Sequence, residues 1–458
     1  MSLARTVEPA RPEDPMRRLD AVPLGGFHRR LVAISGIGWM FDSMDVGIIS
    51  FVVATLAKEW KLGPDQVAWL ISIGTLGMLV GAALAGTLSD RYGRRSMFQM
   101  TLLIFSLATA FCGIAWSYLA LAAGRFFVGF GLGGELPIAS TLVSEFSPAQ
   151  WRGRLLVILE SFWAYGWVLA ALIAFFIIPQ YGWRTAFFLG ALPAFYVFVL
   201  RRSLPESPRF LFSKGRAAEA EAVIARVESE SGVASRVPGP GSDGFVQQDS
   251  SESWTQRLAE LWGGVYVRRT VMLWILWFTI VFSYYGIFTW LPTLLSEGSR
   301  SLTSSFLYVL VITIAQIPGY FSAAFLVDRI GRKWTLAPYL LLTAVGAFFF
   351  RNAATTETIL FWGCWISFFN LGAWGVVYTY TPEQYPTRVR GTGAGWAAAF
   401  GRFGGVLAPL MVGYILKGWG VGYESIFIMF AAVLLVGAVI VALLGEETKG
   451  KRLEELAR

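Results

Sequence analysis

The charged run Asp90-Arg91-Tyr92-Gly93-Arg94-Arg95 returns, degraded, 238 residues later as Asp328-Arg329-Ile330-Gly331-Arg332-Lys333. The same offset joins Glu145 to Glu383, Arg152 to Arg390 and Gly153 to Gly391. Each copy of the run follows an apolar segment long enough to cross a bilayer. A chain that repeats one charged loop at one spacing is expected to be two related membrane halves in the same orientation.

The apolar windows agree. They recur at about 31–57, 65–89, 97–116, 119–144, 155–178, 184–201, 269–295, 303–327, 335–350, 357–381, 393–416 and 423–444, each near the roughly 20 residues of a spanning helix. Hydrophobic residues make up 55% of the chain, and its 49 glycines suit closely packed membrane helices. One large soluble core would need polar helix faces, and these runs lack them. The expected fold is therefore an all-α membrane protein of twelve transmembrane helices in two six-helix bundles. The segments are a polar N-terminal stretch 1–28, a first bundle 29–202, a linker 203–267, a second bundle 268–445 and a tail 446–458.

The net charge of +8 invites a nucleic-acid reading, and its distribution excludes one. Arg and Lys gather at the N-terminus, after spans 2, 4, 8 and 10, in the linker and in the tail. Alternate loops carry little, chiefly Lys58, Lys61, Arg184, Arg300, Arg351 and Lys417. This is the positive-inside pattern of a multi-pass protein of the cell (inner) membrane with both ends in the cytoplasm.

The segment before Phe27 is polar and Pro-rich, unlike a secretory signal. Cys112 and Cys364 fall inside spans, where packing is their expected role. His28, the only histidine, is expected to be an interfacial residue beside Arg29 and Arg30. No His/Cys cluster offers a metal site, and no nucleophile–base set or cofactor loop suggests an enzyme. In the linker, residues 213–230 read as a surface helix with an N-cap candidate, 231–251 as too polar to fold alone, and 254–263 as a shorter helix.

These residues together resemble the major facilitator superfamily over nearly the whole chain. The Asp90–Arg95 loop is similar to its signature between helices 2 and 3. Glu145 and Arg152, Glu206 in Pro205-Glu206-Ser207-Pro208-Arg209, and Glu383 and Arg390 resemble the sugar-porter-like branch. Glu447-Thr448-Lys449-Gly450 resembles that branch's tail, with Glu446 in place of its usual Pro. The glutamine-rich helix 7 of true sugar porters is absent, since this chain reads Phe282-Ser283-Tyr284-Tyr285-Gly286. Helix 1, Gly38-Trp39-Met40-Phe41-Asp42-Ser43-Met44-Asp45, and the run from Gly124-Arg125 to Gly134-Glu135 resemble bacterial niacin transporters of the metabolite:proton symporter group. That group is related to the synaptic vesicle glycoprotein 2 family and to the organic ion transporters.

The resemblance implies alternating access, with Asp90, Arg91, Arg94, Glu145, Arg152, Glu206, Asp328, Arg329, Arg332, Glu383 and Arg390 as gating charges. Ionisable groups deep in the membrane are costly and usually line a cavity. Asp42 and Asp45, three apart on one helix face, would repel each other, which favours proton uptake by one of them. Glu135 and Arg125 on helix 4 belong to the same proton-coupling or substrate set, and Glu160 on helix 5 lies nearer the cytoplasmic end. Arg402 sits deep in span 11 among glycines, and its planar fork matches a carboxylate. Trp163, Trp374, Tyr284 and Tyr285 supply flat faces at mid-span, and Ser283 and Asn370 supply hydrogen bonds. The two tryptophans are chosen on the resemblance, because their counterparts in the vesicle glycoproteins line the central cavity.

The expected function is secondary transport of a small aromatic monocarboxylate, nicotinate foremost, coupled to protons, by a monomer without cofactor or nucleic-acid partner. The alternatives are an organic-cation or other small-metabolite carrier of the same fold, and a non-transporting ligand-binding protein. The first alternative would use Asp42, Asp45 and Glu135 as direct partners of the cation within an aromatic cage.

Overall fold

A computed structural model describes residues 15–148, 150–233, 254–264, 266–296, 301–418 and 423–449. Among these it contains twelve helices long and apolar enough to cross a membrane. They are α1 (Gly26–Glu59), α2 (Pro64–Tyr92), α3 (Arg94–Gly113), α4 (Tyr118–Phe146), α5 (Arg152–Phe176) and α6 (Trp183–Ser203) in the first half. The second half holds α7 (Tyr266–Ser296), α8 (Leu302–Ile330), α9 (Arg332–Phe350), α10 (Thr356–Glu383), α11 (Thr387–Gly418) and α12 (Tyr423–Leu444). Every expected span is present. Most run a turn or so past the apolar window, because charged residues there still continue the backbone ladder.

The sequence repeat is a structural repeat. Gly93 and Gly331 both adopt positive φ, 95° and 100°, which turns the chain sharply between two antiparallel helices. Each following helix begins under a carboxylate. Glu206 accepts from the Arg94 and Arg95 backbone N–H groups at 2.9 and 3.2 Å, and Glu447 from those of Arg332 and Lys333 at 3.0 and 3.1 Å. A carboxylate there answers orphan donors and the positive end of the helix dipole. The arginines repeat as well: Arg152 bonds the Ser147 carbonyl, and Arg390 the Tyr385 carbonyl, at the ends of α4 and α10.

Glycine sets the packing of α2 on α4. A Cβ on Gly129 would run into the Gly74 carbonyl, and one on Gly77 into the Phe126 carbonyl. Such close approach replaces the missing hydrophobic drive with dispersion contacts.

The halves meet tightly at the face away from the linker. There Lys417 pairs with Asp65 at 2.8 Å, Lys58 donates to the Ser296 carbonyl at 3.1 Å, and Phe51 meets Phe306 edge-on at 5.2 Å. At the linker face a vestibule of about 630 Å³ separates α5 from α8 and α10. One exposed ion pair, Arg154–Asp328 at 3.7 Å, spans it. The protein is closed on the far side and open on the linker side.

The linker forms short helices Pro208–Ser213, Ala217–Glu230 and Trp254–Leu261. Ser213 ends one helix rather than capping the next, which starts after Arg216 without a side-chain cap. Most of the polar stretch 231–251 lies outside the described residues. An N-terminal helix, Pro15–Ala21, docks on the linker: Arg18 is buried between Glu221 and Glu228 at 2.7 and 2.9 Å. His28, in the first turn of α1, is fully buried within the protein. Its Nδ1 accepts from the Gly25 N–H, so Nε2 carries the proton that it donates to the Phe146 carbonyl.

Candidate functional site

Midway between the two faces, both halves contribute to one small cavity. Trp39, Asp42 and Val46 of α1 line it with Thr75 and Met78 of α2, Leu132 of α4 and Trp163 of α5. Trp277, Val281 and Tyr285 of α7, Trp374 and Tyr378 of α10, and Ala398 and Arg402 of α11 complete the wall. Its volume is about 50 Å³, far below the roughly 300 Å³ at which ligand pockets begin. In this state the walls have closed on the site.

The aromatic wall is interlocked. Trp39 and Trp163 rings lie 4.7 Å apart, and the Trp163 indole donates to the Tyr284 hydroxyl at 2.6 Å, joining α5 to α7. Tyr284 in turn lies 5.2 Å from Trp374. Trp277 is held by Thr381 at 2.9 Å and meets Tyr378 edge-on at 5.1 Å. Faces at these separations shift together, so admitting a ring moves α5, α7 and α10 as a set.

Arg402 lines the cavity and makes no ion pair or hydrogen bond among the described residues. Tyr285 and Tyr378 lie within its electrostatic reach. An unpaired guanidinium at mid-membrane is costly unless water or a ligand meets it.

The acidic residues divide. Asp45 points into the first bundle, where Arg125 pairs with it at 2.7 Å and Thr109 donates to its other oxygen at 2.8 Å. Asp42 instead lines the cavity. It faces Glu135 of α4 carboxyl to carboxyl, and neither group has another hydrogen-bond partner among the described residues. Gly38 makes the room: a Cβ there would lie 3.0 Å from Glu135 Oε1.

Of the residues singled out in the sequence, Arg402, Asp42, Trp163, Trp374 and Tyr285 share the cavity wall. Tyr284 stands one layer back, and Asn370 donates to Ser283 at 3.1 Å behind that layer. Trp39, Trp277, Tyr378 and Met78 were missed, since among so many aromatic and apolar residues neither spacing nor chemistry marks them out. The charges expected at the gate lie at the linker face. Arg94 approaches Glu145 at 3.8 Å and Arg332 bonds Glu383 at 3.0 Å, each pair within its own half. Arg91 lies over the Tyr92 ring and Arg329 over Phe325. Arg152 bonds Asp20 at 3.0 Å. The Asp90 side chain lies outside the described residues.

The sugar (and other) transporter family model matches residues 40–458. The chain belongs to that family. It is 50% identical to the niacin transporter of Acinetobacter baylyi, over 97% of this chain and 99% of that one. It is 46% identical to a protein of Bacillus subtilis named as a putative niacin/nicotinamide transporter, over 93% and 98% of the two chains. The synaptic vesicle 2-related protein of Xenopus laevis is 30% identical over 95% of this chain. Among solved structures, the partially occluded inward open conformation of the xylose transporter of E. coli superposes with a TM-score of 0.74. That likeness covers 93% of this chain and 99% of that one at 19% identity, and it shows the fold alone. The family member is a multi-pass membrane transporter of the major facilitator fold, and not an enzyme.

Proposed function

We propose that this transporter imports a small aromatic monocarboxylate, nicotinate first and benzoate-like acids after it, with the neutral amide nicotinamide as a weaker ligand. Arg402 carries the reading: an unpaired guanidinium in a cavity walled by Trp163, Trp374 and Tyr285 fits a flat ring with one carboxylate. The names of the two bacterial relatives support it. Asp42 and Glu135 are the coupling groups. Two buried carboxyls facing each other hold a proton between them, and a protonated Asp42 does not compete with the ligand for Arg402. Asp45 and Arg125 hold α1 to α4 beside this pair. The linker face and both chain ends lie in the cytoplasm, by the Lys and Arg bias of the loops. The monomer is the working unit, and the linker-face ion pairs set the balance between access states.

An organic cation is the second reading, favoured by the unpaired Asp42 and Glu135 amid aromatic rings. Labelled nicotinate uptake into proteoliposomes, with and without an inward proton gradient, separates the two. Uptake enhanced by the gradient is expected. If nicotinate neither enters nor competes while quaternary amines do, the acid reading fails.

A further inference from the structure

The loop that turns α8 into α9 has diverged from its copy between α2 and α3 at two telling positions. At the 238-residue offset, Phe325 stands where the first copy has Thr87, and Trp334 where it has Ser96. Both added rings are 55% exposed, and neither borders the vestibule. Each carries a cation. Arg329 Cζ lies 4.0 Å from the centre of the Phe325 ring, and Lys333 Nζ lies 5.1 Å from that of Trp334. Lys449 of the tail joins them, because its ammonium donates to the Arg329 carbonyl at 2.5 Å. Glu447 accepts from the Lys449 and Lys333 backbone N–H groups at 2.8 and 3.1 Å, which holds tail and loop together.

The nearby acids are engaged elsewhere. Glu447 caps α9 through backbone donors, Glu383 pairs with Arg332, and Asp328 pairs with Arg154. Arg329, Lys333 and Lys449 have no carboxylate partner among the described residues. The first copy differs here too: Arg95 is the counterpart of Lys333, and its guanidinium donates to the Arg201 carbonyl.

We infer that this corner of the second half holds the head group of one acidic phospholipid from the leaflet at the linker face. On the topology proposed above that leaflet is the cytoplasmic one, and the binding itself holds for either. Trp settles at head-group depth in a bilayer, and each Lys or Arg at that depth draws an anionic lipid. The three cations meet the phosphodiester, while Trp334 and Phe325 lie against the glycerol and the first methylenes. A zwitterionic head group brings its own cation to the same place and is the poorer ligand. The site lies wholly on α8, α9 and the tail, so the lipid travels with the second half and does not bridge the two.

The test is native mass spectrometry of the full chain, titrated with phosphatidylglycerol or with phosphatidylcholine of the same acyl chains. One phosphatidylglycerol is expected to bind ahead of further copies and ahead of phosphatidylcholine. Lys333→Gln and Lys449→Gln should each weaken that first binding about fivefold, the attraction of one cation. Trp334→Ser, which restores the residue of the first copy, should weaken it as well. Lys333→Gln keeps the backbone donor to Glu447, so its melting should match wild type. Arg95→Gln removes the same charge from the first copy and should leave the affinity unchanged, because that guanidinium is already engaged. Equal affinity of wild type for the two lipids would overturn the site, as would unchanged binding in both lysine variants. A loss in Arg95→Gln as large as that in Lys333→Gln would also overturn it, by showing diffuse attraction to net positive charge.

Discussion

Arg125 Nη1 lies 2.7 Å from Asp45 Oδ2 with both side chains buried, so α4 and α1 are joined by an ion pair that water does not reach. Breaking such a pair strands one charge, which costs about 3–5 kcal/mol. Asp45→Ala should therefore lower the melting temperature sharply in detergent. Asp45→Ala combined with Arg125→Leu should cost less than Asp45→Ala alone, because no charge is left behind. Equal or greater loss in the double variant would show that the pair is not the source of the effect.

Arg402 has the opposite character. Having no protein partner among the described residues, it can be removed without stranding an acid. Arg402→Ala should leave melting within a degree or two of wild type while lowering nicotinate affinity about ten- to a hundredfold, the worth of a charge-assisted bond of roughly 1.5–3 kcal/mol. Arg402→Lys should recover part of this loss, since an ammonium keeps the charge and loses the planar fork. Uptake by Arg402→Ala at the wild-type half-saturation would remove Arg402 from the site.

The contrast between these two arginines explains what the sequence discloses. Span positions, the doubled loop and the depth of Arg402 follow from hydrophobicity and charge, which a linear chain displays directly. Asp42 and Asp45 share a helix face by spacing, but their separate fates depend on what α4 presents. Arg125 reaches one and Glu135 the other, and no local pattern encodes that. Glu447 is similar: its fragment was recognised as a tail motif, while its work as the cap of α9, matching Glu206 on α3, appears only when the halves are compared in space.

Gly129 tests the packing of α2 on α4. With the Gly74 carbonyl where its Cβ would stand, Gly129→Val must push the helices apart. Overpacking of a tight core typically costs about 1–3 kcal/mol, and here it also spreads the α4 register that holds Arg125 and Glu135. A large fall in folded yield on size-exclusion chromatography is expected, whereas Gly153→Ala, with open space around its Cβ, should behave as wild type. Equal yields for both variants would contradict the close approach.

The far-side closure rests partly on Lys417 and Asp65, which bridge α11 and α2 at 2.8 Å with the lysine half exposed. An exposed pair contributes little to stability, so its loss alone should barely change transport. Lys417→Glu goes further, replacing attraction with like-charge repulsion at the seam between the halves. Together these terms shift the balance of access states toward the one that separates the two charges. The state that gains is open on the far side, because the linker-face contacts are untouched. Thr75 lines the central cavity from α2 and reports the change. In a background with Cys112 and Cys364 replaced by Ala, Thr75→Cys should react faster with a membrane-impermeant thiol reagent added on the far side once Lys417→Glu is present. Adding Asp65→Lys restores an opposite-charge pair and should return the rate to its starting value. An unchanged rate in Lys417→Glu would mean that the apolar contacts around Phe51 and Phe306 hold the far side shut without help from the ion pair.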